Sequence, residues 1–198
     1  MLQNWLQPIQ IKLPTYEAYQ LGRHISIYQK RLPAVENVKI ALIGIEKEEA
    51  NLVRTALYEL ANHFPQLPIV DLGNVRNQTV DFLIPIFKEL LSNQIIPIII
   101  GKHDDFIKAQ QQAHRQSQRH SRTWVSIDDR ARYDSHFRSG HYQIIGKQAH
   151  LSDPSILKKI EQKGWDTLSL GNAKANLKQT EPLLRDADFL TVRLSALK

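Results

Sequence analysis

Four segments of this chain gather the residue types that can do chemistry. The first is IIIGKHDD, Ile98 to Asp105, in which Gly101 ends an apolar run and His103, Asp104 and Asp105 follow at once. Imidazole and carboxylates at a strand end can hold a divalent metal or act as acid and base. An Asp placed there also caps a following helix. The second is WVSIDDRARYD, Trp124 to Asp134, in which Asp128 and Asp129 end an apolar run and Arg130, Arg132 and Asp134 come next. In isolation this is the pattern of an ion-pair network at a loop. The third is DADFLTVRLSALK, Asp186 to Lys198, which carries Arg193 and Ser195 where its run ends. The fourth is KAQQQAHRQSQRHSR, which places Lys108, Arg115, Arg119 and Arg122 on or near one helix. Phosphate contacts could use such a face, but it has no interleaved aromatics and reads more simply as a solvated helix face.

The elements that must position these residues alternate along the chain. Val38–Ile45 (VKIALIGI) is a compact apolar run and reads as a buried strand. Leu52, Val53, Ala56, Leu57 and Leu60 recur at helical spacing within Glu46–Asn62 and predict a helix there. Strands are expected at Leu67–Leu72, Ile95–Ile100, Thr123–Ile127, His141–Ile145, Trp165–Leu170 and Asp188–Leu194. Helices are expected at Thr79–Asn93, Asp104 to about Gln118, and Pro154–Lys163 with Gly164 as its stop. Ahead of them, residues 1–36 read as an N-terminal arm, with a helix over Tyr16–Lys30 between prolines. Residues 37–198 read as one α/β domain. Alternating strands and helices imply a mainly parallel sheet covered on both faces, a three-layer α/β/α sandwich. Ligands of such folds bind beyond the carboxyl ends of the strands, which directs attention to the loops after Ile100, Ile127 and Arg193.

Composition narrows the classes. The chain has 198 residues, 42% apolar and 23% charged, ordinary values for a globular domain. It has no cysteine, which removes disulfides, thiol nucleophiles and Cys-ligated metals, and fits a cytoplasmic protein. Its longest apolar run, Ile95–Ile100, is far below the roughly 20 residues of a membrane span. The net charge of +6 admits an anionic partner and equally serves solubility.

Taken in order, the segments resemble the arginase (ureohydrolase) family, which includes arginase, agmatinase and formiminoglutamase. VKIALIGI looks like the family's first strand, ALYEL and PIVDLGN like its first helix and second strand, and PIIIG like its third strand. HYQIIGKQAH is similar to the family segment ending Ile-Gly-x-Gln, and EPLLRDADFLTVRLSALK is similar to the run before the third metal strand of formiminoglutamase-like members. The match covers roughly residues 38 to 198. It implies two manganese ions held by strand-end motifs GG-x-H, D-x-H-x-D and S-x-D-x-D, sharing a hydroxide that attacks a guanidinium or formimino carbon.

Carried over residue by residue, those ligand positions are mostly altered. The first motif's His falls on Asp104, with His103 displaced by one. The second keeps its first Asp as Asp128, but its His falls on Arg130 and its last Asp on Arg132. The third motif's two Asp positions fall on Arg193 and Ser195. Arginine stays protonated and offers a metal no lone pair. A unit-charge repulsion at about 4 Å costs ~4 kcal/mol at an effective dielectric near 20, so three arginines oppose a dication pair strongly. The expectation is a non-catalytic member with a structural, scaffolding or regulatory role, needing no cofactor, with Arg130, Arg132 and Arg193 pairing with Asp104 and Asp128 in the metals' place. One alternative is a manganese-dependent hydrolase of C–N bonds in guanidino or formimino compounds, its ion on His103, Asp104 and Asp128. A second is an anion binder built on Arg130, Arg132 and Arg193, or a nucleic-acid binder. Family members continue well past the third metal strand, so a trimmed sheet edge covered by a protein partner or a second copy is also expected.

Overall fold

The computed structural model describes residues 2–102, 105–115, 123–132 and 140–197, which fall into two compact units, Met1–Ser117 and Gln118–Lys198. Both are mixed α/β, with parallel sheets flanked by helices.

In the Met1–Ser117 unit, β1 (Leu6–Gln7), α1 (Leu21–His24) and β2 (Ser26–Ile27) precede β3 (Ile40–Gly44). Then follow α2 (Lys47–Glu59), β4 (Ile69–Val75), α3 (Val80–Ser92), β5 (Ile96–Ile100) and α4 (Asp105–Arg115). The strand order is β1-β4-β3-β5, with β2 also on β4. β3 lies parallel to β4 and β5, pairing Leu42 with Asp71 and with Ile98, whereas β1 runs antiparallel to β4. The pleat of β3 sends Ala41 and Ile43 into one apolar cluster and Leu42 into another, which is why its whole run is apolar. α3 seals the larger cluster with Leu83, Ile86, Phe87 and Leu90, all fully buried. Each such side chain contributes about 1.5–3 kcal/mol of apolar burial.

The arm departs from its expected helix. Only Leu21–His24 is helical, and Ser26–Ile27 instead joins the sheet beside β4. Tyr28 continues this pairing by donating its N–H to the Asp71 carbonyl at 2.9 Å. Ile25 and Ile27 are β-branched, and an open flank of β4 offers their backbone a ladder that local propensity could not foresee. Leu2 and Leu6 are buried in the larger cluster, and Trp5 packs edge-on against Phe82 at 4.6 Å.

α2 forms within its expected segment, but the apolar stripe is not its buried face: Leu52 is 74% and Leu60 59% exposed, while Ala50, Arg54 and Tyr58 turn inward with no exposure at all. The cause is polar: Arg54 and Tyr58 both reach Asp71 beneath the helix.

In the Gln118–Lys198 unit, β6 (Thr123–Ile127), β7 (His141–Lys147), α5 (Pro154–Gln162), β8 (Thr167–Ser169), α6 (Leu170–Ala175), α7 (Thr180–Arg185) and β9 (Phe189–Val192) follow in order. The sheet order is β8-β7-β6-β9, all parallel. Val125 and Ile145 pack under Ala173, Leu183 and Leu184 on one face. Trp124 stacks with Tyr142 and Phe189 on the other, its indole N–H donating to Thr191 at 3.1 Å. The helices α6 and α7 were not anticipated; they are six residues each and too short to show a period. α5 starts where expected, with Asp153 accepting from the Ser155 N–H at 2.7 Å and Pro154 in the first turn. Gly164, at a φ of +61°, ends it. No helix among the described residues is long and apolar enough to cross a membrane.

Candidate functional site

The registers of β6 and β9 bring two of the singled-out segments together. Ile127 stands opposite Val192, so the next residues, Asp128 and the Arg193 backbone, emerge side by side at the carboxyl ends of adjacent parallel strands. Arg193 donates its N–H to the Ile127 carbonyl at 2.9 Å, and Asp128 donates its own to Ile145 at 3.0 Å. The ends are therefore fixed by the ladder before any side chain acts.

Asp128 is the hub. Its side chain is 3% exposed, and its Oδ2 accepts from Arg132 Nε and from Arg193 Nε, each at 2.9 Å. Its Oδ1 accepts the Arg130 N–H at 3.1 Å, an Asx turn that folds the loop back over the carboxylate. Ser152 holds the same loop by accepting the Ala131 N–H at 2.9 Å while donating to the Gln148 carbonyl. Asp129 lies beside the hub, and Ser195 donates to it at 3.4 Å. The Arg130 side chain is exposed. Burial pushes the Asp128 carboxyl above the ordinary carboxylate value, opposed by the Arg130 N–H and by the charges of Arg132 and Arg193. Asp129 is held below that value, chiefly by its hydrogen bond with the Asp128 carboxyl.

His103 and Asp104 lie outside the described residues, as do Arg119 and Arg122. Next to them, Lys102 donates its N–H to Glu46 at 2.9 Å and pairs with Glu49, and Asp105 opens α4 and pairs with Lys108 at 2.8 Å. Among the described residues no group of three or more His, Cys, Asp or Glu is placed to hold a metal.

A second arginine–aspartate centre was missed by the sequence reading. In the Met1–Ser117 unit, Arg54 of α2 and Asp71 of β4 are both fully buried, bonded at 2.7 and 3.1 Å. Arg54 further donates to Asn74 at 2.7 Å, Asn51 at 3.4 Å and the Gly73 carbonyl at 2.6 Å, which accounts for all five guanidinium N–H groups. Asp71 also accepts from the Tyr58 hydroxyl at 2.7 Å and the Gly73 N–H at 2.8 Å. Burial, and then the charge of Asp71, push the Tyr58 hydroxyl far above its ordinary value. The available signal was an arginine at helical spacing from Ala50 and Tyr58, opposite the apolar stripe.

Comparison with solved structures places this fold. Formiminoglutamase of Trypanosoma cruzi, an N114H variant with manganese, superposes at a TM-score of 0.70 and 13% identity, over 83% of this chain and 72% of that one. Formimidoylglutamase of Bacillus subtilis gives 0.66 and 13%, over 96% and 74%. The agmatine ureohydrolase of Thermoplasma volcanium gives 0.61 and 14%, over 89% and 71%. No family model and no curated protein matches the sequence. At 13 to 14% identity these are likenesses of fold.

Proposed function

We propose that the protein is a non-catalytic relative of the arginase-type hydrolases, retaining their fold for a structural, scaffolding or regulatory role. The bonding of Asp128 carries this reading. By the motif correspondence, Asp128 sits at a metal-ligand position, and Arg130, Arg132, Arg193 and Ser195 at four others. Two of those arginines bond the one carboxylate oxygen that faces them. Guanidinium offers no lone pair and repels a dication, so manganese does not fit these residues. The side chains do something else. The Arg193–Asp128 pair ties the end of β9 to the end of β6, and the Arg132–Asp128 pair ties the following loop. An ionic cross-link thus stands where a metal would cross-link strand ends.

An interaction role draws support from apolar side chains on the surface of the Met1–Ser117 unit, where Leu52 of α2, Leu60 just beyond its end and Ile96 (63% exposed) of β5 face solvent. The partner in this reading is another protein chain or a second copy, encountered in the cytoplasm.

Elemental analysis of the purified protein, joined to assays for urea and formamide release, tests the proposal. The expected outcome is manganese far below stoichiometry and no release that a chelator abolishes. Stoichiometric manganese with chelator-sensitive release would sink it, and is what the competing reading of a metal-dependent hydrolase on His103, Asp104 and Asp128 requires.

A further inference from the structure

We infer that the Asp128 cluster is a receptor for a small oxyanion, a phosphate or carboxylate group, at the carboxyl ends of β6 and β9. The inference rests on the non-catalytic reading above and gives that site a ligand class of opposite charge to a metal. Three observations carry it. First, basic side chains gather at these strand ends: Arg132 and Arg193 both bond Asp128, and Arg130 follows in the same loop. Second, the pairing leaves donors over. Arg132 meets Asp128 through Nε alone, and its side chain is 46% exposed. Its Nη1 and Nη2 edge makes no hydrogen bond to any described residue, and two parallel N–H groups are the fork that receives two oxygens of one oxyanion. Arg130 is exposed in the same loop. Third, the chain leading to the fork is held: the Arg130 N–H donates to Asp128 Oδ1 in the Asx turn, and the Ala131 N–H donates to Ser152.

The placement agrees with where parallel α/β sheets receive ligands, beyond the carboxyl ends of adjacent strands. The sealed Arg54–Asp71 centre cannot do the same, because each of its donors already has an acceptor.

The test is titration of the full chain with inorganic phosphate and, in a separate arm, succinate, followed by calorimetry and by the arginine Nε–H signals in NMR. Saturable binding of either probe is expected, with the Arg132 signal moving. Arg132→Gln should weaken it about tenfold or more, the loss of a charged bidentate contact. Lys158→Gln, which removes the same charge from the exposed face of α5, should leave it unchanged. Asp128→Asn should tighten binding, since it removes the competing negative charge. Asp129→Asn gives the same sign at a half-exposed position if the first variant folds poorly. The relative response of the two arms assigns the ligand as phosphate or carboxylate. No saturable binding of either probe up to about 10 mM, or equal weakening by Arg132→Gln and Lys158→Gln, overturns the inference. Either result leaves the non-catalytic reading standing, whereas stoichiometric manganese that phosphate does not displace would overturn both.

Discussion

Two arginine–aspartate centres in this chain look alike in composition and differ in closure. Arg54 and Asp71 are both fully buried, and every donor and acceptor of the pair is matched. Asp128 is equally buried, but its partners Arg132 and Arg193 stand 46% and 30% exposed. The sealed centre can only hold the fold together. The open one carries its guanidinium groups to the surface. Residue type alone does not separate a structural ion pair from a binding site; the exposure of the guanidinium does.

The largest test of the contrast is Arg54→Met. It strands Asp71 and Tyr58 in an apolar interior, and an uncompensated buried carboxylate costs about 3–5 kcal/mol. Urea unfolding followed by circular dichroism should report a loss of that order. A loss under about 1 kcal/mol would break the claim that this centre is structural.

Next in size is Tyr58→Phe, which removes one hydrogen bond to a charged acceptor while Arg54 remains. A cost of about 1–2 kcal/mol is expected. This residue also gives the contrast a pH dependence. The Tyr58 acidity is suppressed by folding, so its raised value favours the folded state while the unfolded hydroxyl stays protonated. That stability is present below the unfolded value near 10 and is lost as pH rises beyond it. Alkaline unfolding should begin later in Tyr58→Phe, and an unchanged alkaline limb would count against the coupling.

The smallest effect belongs to the open centre. Asp128→Asn keeps an acceptor for the Arg130 N–H, and its two arginines can turn to water, so after screening the cost is about 1 kcal/mol or less. The same unfolding measurement made at low and high salt sharpens the comparison. Salt should reduce the Asp128 effect and leave the Arg54 effect nearly untouched, because exposed charges are screened and buried ones are not.

Much of the framework was legible. Thr123–Ile127 was read at its observed limits, and Val80–Ser92 and Pro154–Gln162 within a residue at either end. These segments carry long apolar periods or explicit caps, and local physics is enough to fix them. The pairing of the arm and the buried face of α2 were not legible, for one shared reason. In both, a distant element offered a partner that the local pattern does not encode: the flank of β4 for Ser26–Ile27, and Asp71 beneath α2 for Arg54 and Tyr58.

The amino-acid sequence alone sets the α/β alternation and the lack of thiol chemistry. Those follow from residue types and their order. Only the tertiary structure decided which arginine meets which carboxylate and how much of each is left to solvent. Arg193 lies 65 residues beyond Asp128 in the chain and reaches it only because parallel pairing aligns Val192 with Ile127. Register is a property of the assembled sheet, and no local spacing contains it.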